Sequence, residues 1–199
     1  DPGQPELMLR TFDALQLRAQ TVVCGCGGGD AVRNVLPQVL SQSPRLVLDA
    51  DALNILANDS SLKALLRRRA GRCHTTVLTP HPLEAARLLG CSTAGVQADR
   101  LAAASQLANE LQSVVVLKGS GTVIAAPGAT STINLTGNGL LGTAGTGDVL
   151  AGLIGARLAG GADSFTAACT AVYRHGAIAN AWPAGQALTA GALARRLTP

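Results

Sequence analysis

Two hydrophobic patterns alternate along this chain. Short runs that are apolar at every position predict strands buried on both faces, and longer stretches with apolar residues at three- and four-residue spacing predict helices packed on them. Residues 5–19 predict a helix, and residues 21–24 a short buried strand that runs into Gly25-Cys26-Gly27-Gly28-Gly29. Asp30 is expected to cap a helix over 30–40. Residues 45–49 predict a second strand, 51–57 and 60–69 two helices, and 76–78 a third strand. Helices are predicted over 82–89, with Pro82 in the first turn, and over 96–111. Three strands then follow with only turns between them, at 114–118, 122–126 and 131–134. Helices over 147–159, 164–181 and 188–197 complete the pattern.

Strands that alternate with helices predict an α/β fold with a mostly parallel sheet, right-handed crossovers and ligands at the carboxyl ends of the strands. The three consecutive strands predict an antiparallel or meandering edge. That rule gathers Gly25 to Gly29, Asp49, Asp51, Thr79, His81, Lys118 and the Gly142 to Asp148 loop onto one rim. At 199 residues, 47% of them hydrophobic, the chain fits a single domain over 1–199. Aromatics make up only 2%, which argues against an aromatic-rich β-sandwich and against a surface that stacks nucleic-acid bases. The net charge of +4 is scattered apart from Arg67-Arg68-Arg69, a solvated helix face, and fits an anionic small molecule. No apolar run has membrane-spanning length, and the first residues have no signal-peptide pattern. Five cysteines, an odd number with no Cys-x-x-Cys pair and no metal-like spacing, predict reduced thiols, no metal ligand set and a cytoplasmic location.

The richest motif is Gly142-Thr143-Ala144-Gly145-Thr146-Gly147-Asp148 ahead of an apolar helix. A glycine turn at a helix start aims backbone N–H groups and the positive end of the dipole at one point, which suits phosphate. A carboxylate there either caps the helix or takes a proton from a hydroxyl attacking the phosphate, and Asp148 fits both readings. Asp49-Ala50-Asp51-Ala52-Leu53-Asn54 fits a capped helix start or a site for a ribose or a hydrated cation. The two prolines beside His81 in Thr79-Pro80-His81-Pro82 stiffen the chain around an imidazole, with Glu84 close by. Lys118-Gly119-Ser120-Gly121-Thr122 is either a tight hairpin or a phosphate-reaching lysine with helping amides, and no Walker pattern is present. The Gly25 to Gly29 loop is a poor dinucleotide fingerprint, because Asp30 stands where a third glycine is needed. His74 and His175 have no such context and read as structural.

In this order, Asp49 to Asn54, Thr79 to Glu84, Val116-Leu117-Lys118-Gly119 with Thr122-Val123-Ile124, Thr136-Gly137-Asn138 and Gly145 to Gly152 resemble the NAD(P)H-hydrate dehydratase family of the ribokinase superfamily. The resemblance implies a three-layer αβα fold and ADP- or ATP-dependent dehydration of NADH or NADPH hydrate, with Mg²⁺. It implies a catalytic role for Asp148, and nucleotide binding by Lys118, Gly119, Ser120, Gly121, Thr122, Gly145, Thr146 and Gly147. It places the hydrate against Gly27, Asp51, Asn54, His81, Glu84, Asn138 and Asp148. The chain departs from the family pattern at Cys26 and Gly28, in a loop expected as Gly-Pro-Gly-Leu-Gly, and at Leu83, Leu140 and Ala144, where glycines are usual. Family members carry roughly one further βαβ portion ahead of the first helix, and an uncovered sheet edge favours a homo-oligomer. A small-molecule kinase of the same superfamily, or a non-catalytic nucleotide-binding remnant, are the competing readings.

Overall fold

A computed structural model describes residues 7–197. Among these residues six strands form one sheet in sequence order: β1 Thr21–Cys24, β2 Arg45–Leu48, β3 Thr75–Leu78, β4 Val114–Leu117, β5 Val123–Ala125 and β6 Thr132–Ile133. The first four are parallel, and β5 and β6 add antiparallel neighbours, which gives the expected meandering edge. The crossovers between β1 and β4 all step the same way across the sheet. Because such crossovers are right-handed, their helices must share one face.

That face carries α1 (Val32–Gln42), α2 (Ala50–Ala57), α3 (Ser60–Ala70), α4 (Pro82–Leu89), α5 (Thr93–Ala98) and α6 (Arg100–Leu111). The opposite face is covered by α7 (Thr146–Ala159) and α8 (Ser164–Asn180), and α9 (Ala190–Arg196) packs against their ends. The layers follow from the alternation of side chains along each strand. Leu46, Leu48, Leu78, Val115 and Leu117 join the core under α1–α6, while Val47, Val77, Val114 and Val116 join the core under α7 and α8. The result is the three-layer αβα arrangement predicted above. Each fully buried leucine contributes about 1.5–3 kcal/mol relative to exposure.

Three predicted elements differ. The helix over 5–19 is replaced by a short 3-10 turn at Phe12–Ala14; positions 5 and 6 lie outside the described residues. Leu7, Met8 and Leu9 are exposed and only Leu17 is buried, so the stretch lacks the packed face that a helix of this length needs. Asp30 does not cap α1: a 3-10 turn at Gly29–Ala31 intervenes, and Ala31 stands at the cap. The helix over 96–111 is two helices, because the Asp99 side chain accepts from the Ala102 N–H and starts α6 afresh.

Close packing fixes the rim. Gly25 leaves β1 with φ +114°, and a Cβ there would overlap the Asp49 carbonyl oxygen, so only glycine lets the β1 and β2 corners meet. On the other face Gly155 lets α7 press onto Val23. Together these contacts set the amino-terminal end of α7 against the carboxyl ends of β1 and β2. β1 remains an edge strand, paired only with β2 among the described residues.

Candidate active site

The carboxyl ends of β1, β2 and β4 and the start of α7 converge. Asp49 follows β2 and is the backbone cap of α2, yet its side chain makes no capping bond. Its carboxylate is 1% exposed as a residue and accepts from the Lys118 ammonium at 2.7 Å, an ion pair between positions 69 apart in sequence. Lys118 follows β4, and its backbone N–H donates to the Pro80 carbonyl at 2.8 Å, tying the Lys118 loop to the segment that carries His81. A Cβ on Gly147 would lie 3.5 Å from the Lys118 Nζ, so ammonium and α7 amides address one point. Asp148, in the first turn of α7, is exposed.

Cys26 completes the cluster. Its sulfur and one oxygen each from Asp49 and Asp148 lie within 4.8 Å of one another. Burial, then the charges of Asp49 and Asp148 and a hydrogen bond to Asp148, push the thiol up to about 12 against the opposing charge of Lys118. The thiol is therefore protonated at neutral pH and is not a nucleophile. The sequence spacing predicts no metal ligand set, but the fold brings these three donors together. The two carboxylates suit Mg²⁺, which takes hard oxygen ligands and is usually held by one or two carboxylates plus substrate phosphates; the thiol does not.

The α7 turn is held from behind. The Thr146 hydroxyl donates to the Leu141 and Thr143 carbonyls at 2.6 and 2.8 Å, and Gly145 takes φ +83° before the helix. His175, buried on α8, faces the Thr146 carbonyl with Nε2 at 2.9 Å. A carbonyl only accepts, so the ring donates from Nε2. The next residue, Gly176, leaves room for Thr136 and Gly137, where a Cβ would collide with backbone. His175 is thus part of the site's support, although its sequence context suggested nothing beyond packing.

Burial lowers the His175 pKa, and the hydrogen bond to the Thr146 carbonyl opposes this only in part. With the folded value below the ordinary 6.5, the stability contributed by the neutral ring is present above pH 6.5 and is lost as pH falls below it. One such group changes stability by up to about 1.4 kcal/mol per pH unit. His175→Gln keeps an amide donor and does not titrate, so urea unfolding at pH 7.5 and 5.5 should show a smaller loss for the variant than for the wild type.

The other predicted positions take several roles. The imidazole Nδ1 of His81 accepts from the Leu83 and Glu84 N–H groups at 3.2 and 3.3 Å, and the Glu84 carboxylate accepts from the His81 N–H at 2.8 Å. This capping box starts α4, leaves Glu84 buried, and leaves the half-exposed imidazole at the rim. Asp51 accepts from the Gly29 N–H at 2.7 Å, and Asn54 accepts from Arg87 at 2.6 Å. Both line an open polar cleft of about 230 Å³ with Asp30 and Arg33. Gly27 is exposed at φ +62°, with open space where a side chain would be. Asn138 is engaged on both sides of its amide, accepting from Leu140 N–H and donating to the Ala179 carbonyl. Gly119, Ser120 and Gly121 form an exposed turn, closed by the Thr122 hydroxyl donating to the Gly119 carbonyl.

A mostly parallel sheet with an antiparallel edge, a glycine turn at a helix start, and a lysine and an aspartate at its rim is the arrangement of a ribokinase-like α/β protein. A ribokinase-like superfamily protein from Enterococcus faecalis superposes with a TM-score of 0.69 at 25% identity, over 89% of this chain and 61% of that one. The profile of the NAD(P)H-hydrate dehydratase family matches residues 4–198, and the chain belongs to that family. It is 44% identical to the ADP-dependent (S)-NAD(P)H-hydrate dehydratase of Neisseria meningitidis, over 99% of this chain and 67% of that protein. It also resembles the ADP/ATP-dependent NAD(P)H-hydrate dehydratase of Bacillus subtilis co-crystallised with ATP and Mg²⁺. That likeness has a TM-score of 0.71 and 34% identity, over 88% of this chain and 61% of that one. The chain therefore spans 61% to 67% of the length of these relatives.

Proposed function

We propose that this protein uses ADP, or ATP, to dehydrate NADH or NADPH hydrate, with Asp148 as the general base. The observation that carries the reading is the exposed Asp148 carboxylate in the first turn of α7, at the point where the α7 amides and the Lys118 ammonium converge. In this reading the Lys118–Thr122 loop and the Gly145–Gly147 turn hold the nucleotide. His81, Gly27, Asp51, Asn54 and Asn138 border the hydrate, and Glu84 acts through His81. Asp148 accepts the proton of the hydrate's hydroxyl as that oxygen attacks the terminal phosphoryl group of the nucleotide. The Thr146 and Gly147 amides and Lys118 stabilise the charge on the transferred group. Phosphate then leaves as the ring nitrogen's lone pair restores the dihydropyridine, giving NAD(P)H, inorganic phosphate and AMP from ADP. Mg²⁺ held at Asp148, with Asp49 as its neighbour, would neutralise phosphate charge.

The test follows dihydronicotinamide absorbance after hydrate is supplied with ADP or ATP and Mg²⁺. Growth of absorbance with stoichiometric phosphate supports the reading. A stable phosphorylated alcohol from a hydroxyethylthiazole- or pyridoxal-like substrate, without that growth, would replace it with the kinase reading; nucleotide binding with no turnover of either kind would point to a non-catalytic remnant. Among the described residues no helix is long and apolar enough to cross a membrane. The same reading places the protein in the cytoplasm as a homo-oligomer, visible as a larger species in solution scattering.

A further inference from the structure

α6 runs antiparallel to β4, so its first residue, Arg100, stands beside the carboxyl end of that strand, where the Lys118–Thr122 loop begins. The guanidinium donates to the Leu117 and Lys118 carbonyls at 3.1 and 3.3 Å, reaches the Gly121 carbonyl at 3.5 Å, and donates to the Gln97 side chain at 3.0 Å. These contacts grip the loop where it starts and where it returns. Among the described residues no carboxylate lies within ion-pair distance of Arg100, so its charge is unopposed beside the loop. Gly119 crosses the guanidinium with φ +142°, and a Cβ there would lie 2.8 Å from one terminal nitrogen. The loop backbone is therefore shaped against this side chain. A planar, always-charged group with five donors can bind several carbonyls at once, which a lysine cannot do.

We propose that Arg100 is a positioning residue for nucleotide binding: its guanidinium holds the Lys118–Thr122 loop in the shape that receives the adenine nucleotide and adds positive charge behind it. The proposal rests on the reading that this loop binds nucleotide. Lys118 keeps its ammonium in place through Asp49, and Asp148 sits on another element, so the chemical step has its own supports. Loss of Arg100 should act on nucleotide affinity, because the nucleotide must then order the loop itself.

Calorimetric titration of the full chain with ADP at 25 °C tests this on the wild type, Arg100→Gln, Arg100→Lys and Gly119→Ala. Arg100→Gln should weaken ADP binding on the order of tenfold, Arg100→Lys less, and Gly119→Ala comparably to Arg100→Gln. Hydrate turnover at saturating ADP should stay within about twofold of the wild type in the arginine variants. Equal ADP affinity in wild type and Arg100→Gln overturns the inference while leaving the nucleotide site intact, and it does so even if the variant melts at a lower temperature. Absence of ADP binding in the wild type itself overturns both the site reading and the role of Arg100. If Arg100→Gln does not fold, Arg100→Lys and Gly119→Ala decide, and unchanged affinity in both overturns the inference.

Discussion

Asp148→Asn should lower hydrate turnover by about 10²–10⁴-fold and leave ADP affinity, measured without Mg²⁺, equal to or slightly better than that of the wild type. The amide keeps the shape of the carboxylate and can still accept a hydrogen bond, but it cannot take a proton from an attacking hydroxyl at neutral pH. The sign of the affinity change follows from position. Asp148 is exposed in the first turn of α7, where amides and dipole favour an anion, and its negative charge opposes the phosphates that it serves. A residue acting only as a helix cap would behave differently, since Asn is as good a cap as Asp and the substitution would be close to neutral. Single-turnover rates at saturating ADP, with calorimetric ADP affinity on the same samples, separate the two. Near-normal turnover would remove Asp148 from the chemistry and with it the reaction scheme.

The strands and the placement of the rim were legible in the sequence, because a parallel sheet buried on both faces demands apolar runs; β4 is apolar throughout, and β2 and β3 end in Leu46-Val47-Leu48 and Val77-Leu78. Asp148 and Lys118 were legible as motif residues for a similar reason: Lys118 lies where an apolar run gives way to glycines, and Asp148 where glycines give way to an apolar run. Helix boundaries were less so. Apolar spacing continues through Asp99, and only the capping bond to Ala102 shows that α5 ends there. In residues 7–19 a helical pattern finds packing only for Phe12 and Leu17 and not along a continuous face, and periodicity alone cannot reveal that. The supports of the site were hidden because they join distant segments. Asp49 meets Lys118 across 69 positions, His175 meets Thr146 across 29, and Arg100 reaches Leu117 across 17. In sequence Asp49 reads as a helix cap or as part of a ribose or hydrated-cation site, and the structure shows its carboxylate making no capping bond and holding the lysine. Glu84 also holds the start of α4, and Asn138 ties the turn at Gly139–Gly142 to the Ala179 carbonyl on α8.

The ion pair between Lys118 and Asp49 gives the second large effect, and here stability and activity should part. Lys118→Met leaves the Asp49 carboxylate, at 2% side-chain exposure, without its counter-cation, and breaking such a pair costs about 3 kcal/mol or more. Asp49→Asn should cost less, because the Lys118 side chain is 20% exposed and its ammonium can turn to water. In the double variant no buried charge is left unpaired, so most of the stability lost in Lys118→Met should return. Activity should not return. Without the ammonium beside the α7 amides, charge on the transferred phosphoryl group loses its strongest donor, and turnover should fall about 10²-fold in both variants that lack Lys118. Urea midpoints and turnover measured across the four proteins of this cycle read the two effects independently. Recovery of stability without turnover assigns Asp49 to holding the lysine and Lys118 to the reaction. Failure of the double variant to regain stability would mean that the exposed part of the pair dominates and that water, not Asp49, solvates the ammonium.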